Sequence, residues 1–407
     1  MAAFHAASTA AEPLAVSSAA GPAAAGSASL TSPAAAVAAA EALVPRLFAH
    51  ASHADQEGNF PTEEFTWLRE AGLLTAPLPA SQGGADLGQA AHTLPLLQVL
   101  RHVGRGNLAV GRVYEGHVNA LQLVQRFATP DQAAAWAADA RAGHLFGVWN
   151  TEAEDGVKLL PLPNGRYRLQ GSKTFGSGAS HLTRPLLTGA LPDGGWQMLV
   201  LPADTLVPQY NPAFWRPLGM RATASFRVDF TGLEIDAAHL VGRPGDYYQQ
   251  PWFSGGAIRF AAVQLGGAQA VFDETRRFLS RLGRTDDPYQ RQRLGQLTIL
   301  IESGLHWLRA AAEQAAGPAA DTQAETTVAH ANLVRSAIED ICLHVLPLAE
   351  RCVGARGLLR PEPFERLHRD LTHYLRQPAP DAALADVGRF ALLHSQHPAH
   401  DLWNPTR

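Results

Sequence analysis

Only two cysteines occur in this chain of 407 residues, Cys342 and Cys352. Two cannot build a disulfide framework, and their spacing does not suit a metal, so they read as buried thiols of a reducing cytoplasm. A surplus of charge is lacking as well. The 33 Lys+Arg nearly cancel the 37 Asp+Glu, which leaves no field to draw in nucleic acid or an anionic membrane. No apolar run approaches the length that spans a bilayer. Residues 1–35 form an Ala/Ser/Pro/Gly tract whose one charged residue is Glu12, and no basic residue precedes Arg46. That composition excludes secretory and mitochondrial signals and predicts a disordered tail or a mis-set start.

What is present divides by pattern into three parts. Residues 36–143 read as helices. A helix over Ala36–His50 precedes FPTEEFTWLREAGLL, where Thr62 is the expected N-cap, acidic residues fill the first turn and Gly72 is the stop. Two further helices fit between Gly88 and Phe127. Another starts at Thr129, with Pro130 at its first position and Gln132 closing a capping box. From 144 to 245 the pattern changes to short β runs. Asn164-Gly165 marks a hairpin, and Phe226, Val228 and Phe230 alternate with Arg227 and Asp229. Residues 246–407 return to long helices, with Val271, Thr275, Phe278 and Leu282 on one stripe. The expected class is α+β: a helical domain, a small β-barrel and a C-terminal four-helix bundle.

The stretch Phe146–Ser180 concentrates the chemistry. FGVWNTEAEDG and QGSKTFGSGASH flank the hairpin. Their small hydroxyls suit the polar edge of a flavin and their aromatics its apolar face. These segments resemble the T-E and K-x-aromatic-x-Ser/Thr-x-Gly motifs of the acyl-CoA dehydrogenase family. So do F-P-x-x-x near Phe60, FWRPLGMRATAS (Phe214–Ser225), R-F-A-A-V-x-x-G-G from Arg259 and CVGARGLLRPEPFERLHRD (Cys352–Asp370). The order holds from Phe60 to Phe390. The resemblance implies an FAD site, with FMN as the second choice. Trp149, Thr151, Phe175 and Ser177 would lie at the ring. Arg281 or Arg284, with Gln296, would reach the pyrophosphate and adenosine across a subunit boundary. Gly354 and Gly357 would admit the cofactor to the backbone. It also implies a homodimer or homotetramer, a small-molecule substrate, and electron-transfer flavoprotein or a flavin reductase as partner.

One absence cuts against the family's usual reaction. The glutamate that removes the α-proton of an acyl thioester has no counterpart: Gln377-Pro378 stands at one family position and Ile258 at the other. Neither provides a base. The loop Leu371–Asp381 instead resembles flavin-dependent monooxygenases of the same fold, where His373 or Tyr374 would supply a hydrogen bond near the flavin. Asp370 or Asp381 would have to replace the base otherwise. HSQHPAH (His394–His400) lacks acidic support and reads as a solvated tail, so no metal is expected. The family label points to a flavin oxidoreductase that oxidises an acyl-CoA or similar carbon chain by hydride transfer to FAD. The alternatives are a monooxygenase or oxidase using reduced flavin and O2, and a degenerate flavin-binding scaffold.

Overall fold

The computed structural model describes residues 30–317, 323–376, 379–398 and 401–403. Most of the 1–35 tract, Gln377-Pro378 and His400 therefore lie outside the described residues. Ser32 caps α1 (Pro33–Glu57) through Ala35 N–H, and Gly58 ends it in the left-handed region. α1 starts earlier and runs further than the sequence suggests. Its span Pro33–Gln56 is apolar and long enough to cross a membrane by length and composition, contrary to expectation. Here it packs on α3 and buries Ala36, Ala40 and Leu47. α2 (Thr62–Glu70) begins at Thr62, whose hydroxyl bonds Phe60 O rather than capping the helix. Then follow α3 (Thr93–Gly106), α4 (Leu108–Phe127) and α5 (Pro130–Arg141), the last closed by the expected Thr129–Gln132 capping box.

The middle part is two sheets, the form that the expected small barrel takes. Its strands are β1 (Phe146–Trp149), β2 (Lys158–Pro161), β3 (Tyr167–Gln170), β4 (Ser172–Gly176), β5 (Arg184–Ala190), β6 (Trp196–Val200), β7 (Gln209–Asn211), β8 (Phe226–Asp229), β9 (Glu234–Ile235) and β10 (Leu240–Val241). The larger sheet runs β10-β6-β5-β2-β3-β9, with β1 parallel to β5; the smaller is β4-β8-β7. Asn164 and Gly165, both at positive φ, turn β2 into β3. α4 lies against β1.

The C-terminal helices are α6 (Trp252–Gly255), α7 (Ala257–Arg281), α8 (Pro288–Ala316), α9 (Ala324–Gly357), α10 (Phe364–Tyr374) and α11 (Pro380–Leu393). α7 packs against α8, α9 and α10, and also against α3 of the first part. That last contact is close because Gly104 faces the α7 backbone: a Cβ there would come within 2.5 Å of Val263 O. Both cysteines are buried.

His117 pins α4 to two other segments. Its Nδ1 accepts from Phe146 N–H at 3.1 Å, so its Nε2 donates to Leu74 O at 2.7 Å. Burial pushes its pKa down to about 4, and burial does the same to His102 and His330. These side chains take up protons in the unfolded chain below about pH 6.5 but in the folded one only near 4, so their stabilisation is full above 6.5 and fades as pH falls. His117 alone should cost about 2 kcal/mol between pH 7 and pH 5. Urea unfolding at the two pH values checks this, and His117→Gln should shrink the difference by about that amount.

Candidate functional site

The T-E and K-x-F motifs meet across neighbouring strands. Thr174 N–H donates to Thr151 O at 2.9 Å, and Glu152 bridges to Lys173. Lys173 is fully buried. Its ammonium pairs with Glu152 and also donates to Thr188 Oγ1 at 3.2 Å. Burial lowers its pKa, and Glu152 works against that fall. Glu152 also accepts from Val157 N–H at 2.9 Å. This ion pair fixes the register that sets Thr151 beside Phe175.

Phe175 is 50% exposed and holds a positive φ of 53°. A phenylalanine in the left-handed region is strained by roughly 1–3 kcal/mol and signals a constraint from its surroundings. Phe214 and Trp215 meet its ring edge-on, with centroids 5.4 and 6.2 Å away. Half of the Phe175 surface still faces solvent. Thr151 is exposed beside it. Ser177 is turned inward and 8% exposed; its hydroxyl bonds Ser225 at 2.9 Å, and Ser225 bonds Thr223 at 2.7 Å.

Other expected site residues fall elsewhere. Trp149 is 1% exposed, its Nε1 donating to Ser177 O at 2.9 Å. It is core and offers no face, because β1 lies between β5 and α4. Gly354 has φ 61° and open space around it, but Gly357 is buried against Val353. Gly357 therefore serves packing and admits no ligand. Arg281 pairs with Glu362 at 2.7 Å and with Glu274 at 3.6 Å, and Arg284 and Gln296 are exposed. Along α7, Arg281 lies roughly 35 Å from Ile258. Within one chain these three do not join Phe175.

α10 does bring its end to the aromatic face. His373 meets Trp215 edge-on at 5.5 Å, and burial lowers its pKa. Tyr374 is buried, its carbonyl accepting from Gln264 Nε2 at 3.0 Å, while its hydroxyl has no hydrogen-bond partner. Asp370 is engaged by Met220 N–H at 2.6 Å and Asp381 opens α11 on the surface. Ile258 is buried. His394 bonds Phe390 O, and among the described residues no group of acidic, histidine or cysteine side chains is placed to hold a metal.

A polar cluster escaped the sequence reading. Arg112 Nη1 donates to Glu115 Oε2 at 2.8 Å, Asn119 Nδ2 donates to the other Glu115 oxygen, and Arg259 Nε donates to Asn119 Oδ1. Glu115 is 3% exposed. Tyr247 and Tyr374 feel the same charges, but burial is what raises both phenols first, so they stay neutral. The available signal was positional: residues 112, 115 and 119 recur at i, i+3 and i+7 on a largely buried helix.

Residues 33–144 match the acyl-CoA dehydrogenase N-terminal domain and residues 258–375 the acyl-CoA dehydrogenase C-terminal domain. A dibenzothiophene monooxygenase of Mycolicibacterium goodii is 25% identical over 83% of this chain and 89% of its own. A probable FMNH2-dependent monooxygenase, SfnC of Pseudomonas putida, is 25% identical over 92% of this chain and 98% of its own. The crystal structure of TdsC from Paenibacillus sp. A11-2 with FMN and indole shares the fold at TM-score 0.80. It is 22% identical, over 91% of this chain and 99% of that one.

Removing one partner of a buried ion pair leaves the other charge unmet, at about 3–5 kcal/mol. Glu152→Gln should therefore lower the unfolding free energy by about that much. The double variant Glu152→Leu with Lys173→Met should recover most of it in chemical denaturation.

Proposed function

Because the chain belongs to the acyl-CoA dehydrogenase family, whose members are oxidoreductases, we propose that it is a flavin-dependent monooxygenase. The proposed reaction uses reduced flavin and O2 on a small organic substrate. The observation that carries the reading is the missing base. Ile258 occupies one family position with a buried alkyl chain, and the nearby carboxylate, Glu115, has both oxygens engaged by Arg112 and Asn119. A group so held is poorly placed to strip a carbon-bound proton. The two relatives named as monooxygenases support the same choice, so the alternative displaces hydride transfer from an acyl-CoA as the preferred reaction.

The residues present fit a flavin. An apolar tricyclic ring with one polar edge matches the half-exposed Phe175 ring beside the Thr151 hydroxyl, and Gly354 leaves space for close approach. When bound, reduced flavin supplies two electrons to O2, one oxygen atom passing to the substrate and the other leaving as water. Phe175 would orient the ring, braced by Phe214 and Trp215. Thr151 would bond its edge. His373, neutral near pH 7 because burial disfavours its charge, would donate one hydrogen bond. FMN is preferred to FAD, reversing the sequence-based order. The relative named as FMNH2-dependent supports that order; Arg281, Arg284 and Gln296, the expected adenosine contacts, would act from a second copy. Reduced flavin would come from a separate reductase.

Two measurements test this. Protein loaded with FMN should keep its oxidised spectrum when mixed anaerobically with butyryl-CoA. Reduced by light and then exposed to air, it should reoxidise more slowly than free reduced FMN. Rapid anaerobic bleaching by the acyl-CoA would contradict the reading. Phe175→Gly should weaken FMN binding by about 10- to 100-fold through lost apolar contact. It should leave the melting temperature equal or higher, since glycine tolerates φ 53°.

A further inference from the structure

Where α4 meets α7, the described residues bring together two guanidinium groups and one carboxylate. Glu115 is bonded by Arg112 and Asn119, and Asn119 in turn by Arg259. Glu115 is the one acidic residue that acts on either arginine, and it acts on Tyr247 and Tyr374 too. Asp246, next to Tyr247 in the chain, is taken up by Arg243 N–H at 2.7 Å and Gln249 Nε2 at 2.5 Å. Arginine keeps its charge in a protein. Two positive groups less one negative group leave the cluster with one unmet positive charge.

Electrostatics bears this out residue by residue. Burial lowers the pKa of Arg259, and Glu115 only partly offsets it. For Arg112 burial is the largest influence and pulls the same way, but Glu115 at 2.8 Å together with Tyr374 and Tyr247 outweighs it and the net direction is up. The shared carboxylate is thus spent mainly on Arg112. Tyr374 adds a second unmet demand, a buried hydroxyl with no acceptor. Buried donors normally find a partner, and one that does not calls for an explanation. Arg112 keeps 26% of its side chain accessible and Arg259 is partly exposed, so a ligand can reach both. A negative, hydrogen-bond-accepting guest answers the charge and the orphan donor together.

We propose that this cluster is the seat of an anionic substrate group, a small organic carboxylate or sulfonate-type oxyanion. Its charge lies against the Arg112–Arg259 pair and one oxygen accepts from the Tyr374 hydroxyl. The inference rests on the monooxygenase reading for calling the guest a substrate. Asn119 is a positioning residue: it carries no charge, and it links Glu115 to Arg259.

Calorimetric titration of the FMN-loaded protein without turnover tests the binding claim. Acetate, benzoate and methanesulfonate are compared with acetamide, benzamide and dimethyl sulfone. At least one anion should bind tenfold or more tighter than its neutral counterpart, and Arg259→Gln should abolish the preference. Tyr374→Phe should weaken the anion by roughly 3- to 10-fold while melting at the same or a higher temperature, since it deletes an unpaired buried hydroxyl. The proposal is overturned if no anion binds, if neutral partners bind as well, or if Tyr374→Phe melts lower with affinity unchanged. Because nothing turns over, these outcomes are separate from the acyl-CoA and reoxidation results that decide the monooxygenase reading.

Discussion

Arg369 is where the three parts of the chain are tied together. Its guanidinium donates to Asp55 of α1 at 2.6 and 3.2 Å, to Glu365 of its own helix at 2.6 and 3.0 Å, and to Leu218 O at 3.2 Å. The next residue, Asp370, accepts from Met220 N–H at 2.6 Å. Gly219 lies so close that a Cβ would collide with the Arg369 carbonyl. Such a fork of charged hydrogen bonds has direction as well as strength. Its hold on Glu365 is visible in that carboxyl's pKa, drawn down to about 2 chiefly by the Arg369 bond.

The loop held this way is the one that frames the candidate site. Met220 and Ala224 both adopt positive φ, 60° and 45°, a conformation that persists only under outside constraint. Upstream of them are Phe214 and Trp215, which brace Phe175; downstream is Ser225, which receives Ser177. His373 and Tyr374 follow Arg369 by about one turn of α10. One helix therefore places both the support of the aromatic face and the donors that approach it. The ion pair Lys173–Glu152 does the same from the sheet side.

Much of this was legible in the sequence, for identifiable reasons. Asn164-Gly165, the Thr129 capping box and the order of motifs from Phe60 onward are local signals that tertiary packing does not override. Trp149 misled because three of the four positions of β1 are buried, so an aromatic near a hydroxyl motif cannot be told from core. The burial of Lys173 had no local signal: it depends on a partner, Glu152, that approaches only after the strands pair. Arg112 and Glu115 sit three apart, which on most helices is an exposed surface pair. Here α4 is enclosed between β1 and α7, and the pair is drawn inward, Glu115 being buried.

The central claim is that the Arg369–Asp370 corner holds the Phe214–Ser225 loop in its strained form, and through it the flavin face. Hydrogen exchange on Asp370→Ala tests it directly, because that change orphans Met220 N–H and strips buried Arg366 of the carboxylate 3.6 Å away, both at the corner itself. The account predicts that amides between 216 and 225 lose protection and that FMN binds more weakly, with α3 exchanging as in the parent protein. Unchanged protection across 216–225 in that variant would contradict it.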